Sequence, residues 1–178
     1  MAEGAKRVAV VDEALREAYE AGIVTVASVG NLGSEVCVSA PATGPRVIGV
    51  GGTTEGACMG AYALAGSAID IVAPGGGIPK SGCPSVSSRP IYQVTLRPGD
   101  TRDFAIPANY VGTSMAAAHV SGAAALVLAS RAIKRGLTPR GRVDVLTRRL
   151  RATARDLGLP TVEQGAGLLD VGAATEPR

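Results

Sequence analysis

Apolar residues in this chain follow two rhythms. Over 10–21, Val10, Ala14, Leu15, Ala18 and Ala21 recur at helical spacing, with Asp12, Glu13, Glu17 and Glu20 on the other side. That spacing predicts an amphipathic helix. It leads into Gly-Ile-Val-Thr-Val-Ala-Ser-Val at 22–29, a β-branched run without charge and bounded by glycine. Such a run suits a strand buried on both faces of a parallel sheet. Arg-Val-Ile-Gly-Val-Gly-Gly at 46–52 predicts a second strand, and Ala-Ile-Asp-Ile-Val-Ala-Pro-Gly at 68–75 a third. A helix feeding successive strands is an α/β arrangement. From Thr113 to Leu128 small and apolar residues predominate, as in a buried helix packed closely on the sheet. Thr138-Pro139 then opens a further helix reaching about 153, with proline near its start.

Between the third strand and the buried helix lies a less regular stretch. Residues 90–96 alternate like a strand, 97–100 form a turn, and 101–106 return, which predicts a surface hairpin. The 178 residues are 46% hydrophobic without tryptophan, enough for one core, and no internal repeat or second domain interrupts it. Net charge is only +3, and the basic residues gather late, at Arg131, Lys134, Arg135, Arg140, Arg142, Arg148, Arg149, Arg151 and Arg155. No aromatic residues interleave them, so they are read as a solvated helix face, and nucleic acid is not a partner. No stretch is long enough to span a membrane, and the first residues contain no apolar signal segment. Cys37, Cys58 and Cys83 permit at most one internal disulfide and form no metal pattern. They read as core or loop thiols, with a Cys37–Cys58 or Cys83-containing bridge open to an exported protein. Gly49-Val50-Gly51-Gly52-Thr53-Thr54 is not a dinucleotide loop, because its sixth position is Thr54. No cofactor is implied.

The chemistry centres on Gly112-Thr113-Ser114-Met115-Ala116-Ala117-Ala118-His119-Val120-Ser121-Gly122. A serine on the first turn of a buried helix has its hydroxyl and backbone N–H at the positive end of the helix dipole. A nucleophile and an oxyanion donor are useful there. A plain N-cap is the alternative for a lone serine. Gly30-Asn31-Leu32-Gly33 ends the first predicted strand, where ligands of open parallel sheets bind, so Asn31 projects into a site. A turn role is its alternative.

Together these blocks resemble the subtilisin-like serine proteases. Their nucleophile segment reads Gly-Thr-Ser-Met-Ala, a small residue, then Pro-His-Val and a glycine two further on; this chain departs only at Ala118, where the family has proline. The segments around Ala40-Pro41-Ala42, 46–52, 68–75 and Gly165-Ala166-Gly167-Leu168-Leu169-Asp170 resemble further family blocks in the family's order. The resemblance implies a three-layer α/β fold with a parallel sheet. It implies Ser114 as nucleophile, the Asn31 amide and the Ser114 N–H as oxyanion donors, and Gly30 as a wall of the pocket for the side chain before the cut. Relative to the family, residues 76–110 are longer, a surface insertion that is either passive or in contact with substrate.

A serine nucleophile needs a base and the base an orienting acid. The one histidine, His119, lies roughly 500° around the helix from Ser114 and points elsewhere. In the family that histidine is structural, and the catalytic histidine and aspartate lie upstream. Asp12, Asp70, Asp100 and Asp103 lack the acid's sequence context. The expectation is therefore a partial peptidase domain over 1–178, the C-terminal half, inactive alone. Its partners would be a polypeptide substrate and an N-terminal half. The alternative is a truncated, non-catalytic remnant or a half-domain that binds a complementary partner. The family often binds calcium through upstream residues, so no metal is assigned here. Family membership implies an extracellular location. A sheet without its leading strands would expose an apolar edge.

Overall fold

The computed structural model describes residues 9–32, 38, 40–84, 89–97, 99–106 and 110–177. In chain order the elements are α1 (Ala9–Glu20), β1 (Thr25–Ser28), β2 (Val47–Thr53), β3 (Ile71–Pro74), β4 (Thr95–Leu96), β5 (Phe104–Ala105), α2 (Thr113–Ala129), α3 (Pro139–Ala152), α4 (Thr161–Gln164) and α5 (Val171–Thr175). β1, β2 and β3 form a parallel sheet in that order, with Thr25 beside Val47 and Val50 beside Ile71.

Both faces of the sheet are buried, which explains why its strands read as uncharged runs. Ile48, Val50, Ile71 and Ala73 join Val120, Val127 and Ala116 of α2 and Leu146 and Leu150 of α3 in one cluster. Alternate residues, Val47 and Val72, join Ala27, Val29, Met59 and Ile69 in a second cluster, against which Leu15 of α1 packs. This period of two along each strand gives the three layers of an α/β fold. The strands are shorter than the apolar runs. At 22–29 pairing begins only at Thr25, because Gly22 has φ 78 and Ile23 N–H still donates to the Ala18 carbonyl.

Two expectations change. Val10 is 73% exposed, and the face of α1 that turns inward carries Leu15, Ala18 and Tyr19. Tyr19, 8% exposed, donates its hydroxyl to Asp144 of α3 at 3.0 Å, and the Arg46 guanidinium lies 4.9 Å from its ring centre. Its partners are distant in sequence, so periodicity within the helix did not identify it. The late basic residues are also more than a solvated face. Arg149 donates to the Ala173 and Ala174 carbonyls near the end of α5. Arg151 pairs with Asp70 at 3.1 Å, and Arg140 with Glu20 at 3.1 Å.

Cys58 and Cys83 form a disulfide with Cα atoms 6.0 Å apart, so of the readings left open for these two it is the Cys83-containing bridge, and not core or loop thiols, that the structure has. The antiparallel bridge of Gly60 with Pro79, and the Lys80 N–H donating to the Met59 carbonyl, bring the two segments side by side. Cys37 lies outside the described residues. Of the hairpin expected over 90–106 only a short antiparallel pairing forms, with Thr95 opposite Ala105 and Leu96 opposite Phe104, and 90–94 is not in a strand. Its turn is held by Arg97 N–H to the Asp103 carbonyl and by Arg102 N–H to the Asp100 carboxylate.

The sheet's two edges differ. The outer edge of β3 is occupied: Val72 N–H donates to the Gly167 carbonyl, and Leu169 N–H to the Val72 carbonyl. The outer edge of β1 pairs with no strand among the described residues.

Two stability predictions follow from this packing. Leu146 is fully buried between α3 and α2, so Leu146→Ala is expected to lower the unfolding free energy by about 2–5 kcal/mol in denaturant titration. Val162→Ala, at an exposed position, should change it by less than about 0.5 kcal/mol. Burial pushes the Tyr62 phenol up to about 12, and its hydroxyl donates to the Gly76 carbonyl at 3.1 Å. The folded state therefore holds this proton more tightly than the unfolded chain, whose tyrosines titrate near ~10. The associated stability is present below that pH and lost as pH rises toward 12. Tyr62→Phe should cost about 1 kcal/mol at neutral pH and flatten the alkaline loss.

Candidate active site

The start of α2 is built on backbone geometry that few residues permit. Gly112, its N-cap, has φ 136, and a Cβ there would lie 3.0 Å from both polar atoms of the Asn31 amide. Glycine thus lets the turn adopt this conformation and lets Asn31 close on it. Gly112 N–H donates to the Gly75 carbonyl at 2.9 Å, and Gly75 N–H to the Thr53 carbonyl at 2.7 Å. These bonds fix the helix start to the carboxyl ends of β2 and β3.

Thr113 joins this turn to β1. It is fully buried, and both its N–H (2.8 Å) and its hydroxyl (2.9 Å) donate to Asn31 Oδ1. The same hydroxyl accepts from Gly30 N–H at 3.3 Å. Two donors on Oδ1 set the orientation of the amide, since Nδ2 cannot accept. Nδ2 therefore remains a donor, and it has no hydrogen bond among the described residues.

The first-turn amides of α2 are distributed unequally. Thr113 N–H goes to Asn31, while Met115 and Ala116 N–H go to the Gly112 carbonyl at 3.1 and 3.4 Å. Ser114 N–H has no partner among the described residues, and its side chain is exposed. The geometry brings Gly30, Asn31 and Ser114 to one end of the sheet, at the positive end of a 17-residue helix. Thr113, which the sequence pattern places only at the start of the buried helix, is the group that connects them. A buried hydroxyl beside Ser114 with an asparagine ending the first strand was the available signal.

His119 does not join this group: its Nδ1 is 2.9 Å from the Met115 carbonyl, one turn back on the same helix. Asp70 is likewise employed elsewhere, accepting from Gly49 N–H at 2.9 Å and pairing with Arg151. Among the described residues no histidine or carboxylate is hydrogen-bonded to Ser114. No group of three or more His, Cys, Asp or Glu among them is placed to hold a metal ion.

Comparison with known proteins bears directly on this arrangement. The model of the subtilase family matches residues 3–168. An extracellular protease of Xanthomonas campestris is 34% identical over 165 residues, covering 92% of this chain and 25% of its own length. Subtilisin of Bacillus pumilus is 35% identical over 163 residues, covering 90% and 49% respectively. Among solved structures, a protease from Pseudoalteromonas arctica superposes with a TM-score of 0.78 at 25% identity, covering 97% of this chain and 48% of that one. A lanthipeptide protease gives a TM-score of 0.70 at 26% identity, covering 92% and 53%. The chain thus spans half or less of the length of these two curated relatives. With a match that runs nearly from end to end and a fold shared with solved members, the chain belongs to the subtilase family.

Proposed function

We propose that residues 1–178 are the nucleophile-bearing half of a serine endopeptidase domain, with 76–110 a surface insertion in it. Ser114 Oγ attacks the scissile carbonyl carbon and gives its proton to an imidazole supplied from outside this chain. The carbonyl electrons move onto oxygen, which accepts hydrogen bonds from Asn31 Nδ2 and Ser114 N–H. Collapse of the tetrahedral species re-forms the carbonyl and expels the amine, which takes the proton from the imidazolium; water then hydrolyses the acyl-enzyme. Gly30 walls the pocket for the side chain before the cut. Thr113 is a positioning residue.

One observation carries this reading: Thr113 occupies the Asn31 carbonyl oxygen twice, so the amide donor and the Ser114 N–H are left at a single helix start as donors without a partner among the described residues. The histidine count adds to it. The only imidazole in the chain is bonded to its own helix, so the base comes from another polypeptide segment. The outer edge of β1, which pairs with no strand among the described residues, gives such a segment a place to pair as a further parallel strand. The same edge favours a second reading, a non-catalytic remnant or half-domain that binds a complementary partner. The Cys58–Cys83 disulfide suits an oxidising compartment, and we place the protein outside the cell, where its Xanthomonas relative is an extracellular protease.

Intact mass after fluorophosphonate treatment tests the proposal. The chain alone should remain unlabelled. Adding a subtilase N-terminal half should produce one adduct, absent in Ser114→Ala; a folded complex that is never labelled supports the binding reading instead. In that complex Asn31→Ala should lower turnover on the order of 10²–10³, the magnitude measured for an oxyanion-hole asparagine in a subtilisin. Sedimentation of the chain alone should show weak stability or self-association through the β1 edge. A cooperative, monodisperse monomer would count against an exposed pairing edge.

A further inference from the structure

The ring of Tyr62 lies in a cradle of glycines that leads to the start of α2. A Cβ at Gly52 would lie 2.7 Å from this ring and one at Gly60 2.5 Å, so glycine alone leaves it room at both places. The two glycines are themselves paired, Gly60 N–H donating to the Gly52 carbonyl at 3.1 Å. The backbone on either side is anchored as well. Ala61 N–H donates to the Ile78 carbonyl and Lys80 N–H to the Met59 carbonyl, and the Cys58–Cys83 disulfide joins the same two segments. Tyr62 belongs to neither core cluster, so filling the core does not account for its place.

The cradle continues to the turn that bears Ser114. Tyr62 Oη is so close to Gly75 that a Cβ there would collide with it, and the same Cβ would lie 2.7 Å from the Gly112 carbonyl oxygen. Gly75 is thus held between the Tyr62 hydroxyl and the N-cap residue of α2. The hydroxyl donates to the Gly76 carbonyl at 3.1 Å. Gly75 and Gly76 N–H both donate to the Thr53 carbonyl, at 2.7 and 3.0 Å, and the Gly75 carbonyl accepts from Gly112 N–H at 2.9 Å. Ser114 follows Gly112 by two residues. Because burial pushes the phenol up to about 12, its proton stays in place at neutral pH and the hydroxyl remains a donor to Gly76.

Resting on the protease reading, we propose that Tyr62 is a positioning residue for Ser114, holding the Gly75–Gly76 strap and, through it, Gly112. Tyr62→Phe keeps the ring in its cradle and removes only the bond to Gly76. Tyr19→Phe is the control, because it also removes a tyrosine hydroxyl bond, the one to Asp144 that joins α1 to α3. Amide resonances are recorded on the full chain labelled with nitrogen-15, and circular dichroism verifies each fold. In Tyr62→Phe the Gly112, Thr113 and Ser114 amide resonances should shift, and Gly112 N–H should exchange with solvent about tenfold faster. Tyr19→Phe should leave both as in the parent. In the complex with a subtilase N-terminal half, Tyr62→Phe should lower kcat about tenfold on a peptide substrate, with KM within about twofold.

Unmoved resonances in Tyr62→Phe, or an equal change in Tyr19→Phe, would overturn the proposal. Loss of the fold in Tyr62→Phe would do so too, because a positioning residue leaves the fold intact. A raised KM at constant kcat would also reject it, since that is the mark of a substrate contact. Failure of the protease reading is separable, because the resonances need no catalysis. Shifts at Gly112 and Ser114 in a protein whose parent complex is never labelled by fluorophosphonate would retain Tyr62's hold on the turn and reject the catalysis. Labelling of Tyr62→Phe at the parent's rate would retain the catalysis and reject the positioning role.

Discussion

The paired hydrogen bonds from Thr113 to Asn31 Oδ1 are the constraint on which the candidate site depends. They join the carboxyl end of β1 to the first turn of α2, two places 82 residues apart in the chain. Burial makes the link strong: Thr113 is fully enclosed, and leaving its N–H or hydroxyl unpaired there would carry a desolvation penalty. The oxygen of the Asn31 amide is thereby committed to structure, while its nitrogen has no hydrogen bond among the described residues.

The rest of the fold keeps this link in register. Ile48, Val50, Ile71 and Ala73 anchor the sheet to α2 and α3, so the strand ends and the helix start cannot slide past each other without opening a close-packed core. Gly75 and Gly112 then bring the end of β3 to the same turn. The side chain of Arg149 braces α5, and that of Arg151 holds Asp70, whose other oxygen accepts from Gly49 N–H in β2. Basic residues on the outer helix thus contribute to the position of the sheet, at the end opposite the site.

An unequal pair of sheet edges and the isolation of His119 have a common meaning. One edge is finished by residues 167–169, whereas the β1 edge, next to Asn31, has no strand beside it among the described residues. In the reading proposed above, a further segment that pairs along β1 is also the one that would bring an imidazole toward Ser114.

The sequence by itself determined the elements and the candidate chemistry. Uncharged β-branched runs define β1, β2 and β3 because strands of a buried sheet admit little charge, and Gly112-Thr113-Ser114 at the start of an uncharged helix marks the place of the candidate nucleophile. Thr138 and Pro139 likewise mark the start of α3 through local capping, which needs no distant partner. Tertiary structure decided the rest. Only packing against Asp144 and Arg46 revealed that Tyr19 turns inward, and only the antiparallel run of 59–60 against 79–80 brought Cys58 to Cys83. Thr113 as the connector of Asn31 to Ser114 was equally hidden, because its partner is near in space and remote in the chain. Local patterns record what each residue prefers of its immediate neighbours and of water, whereas hydrogen bonds across the chain are specified only when the sheet and helices have closed.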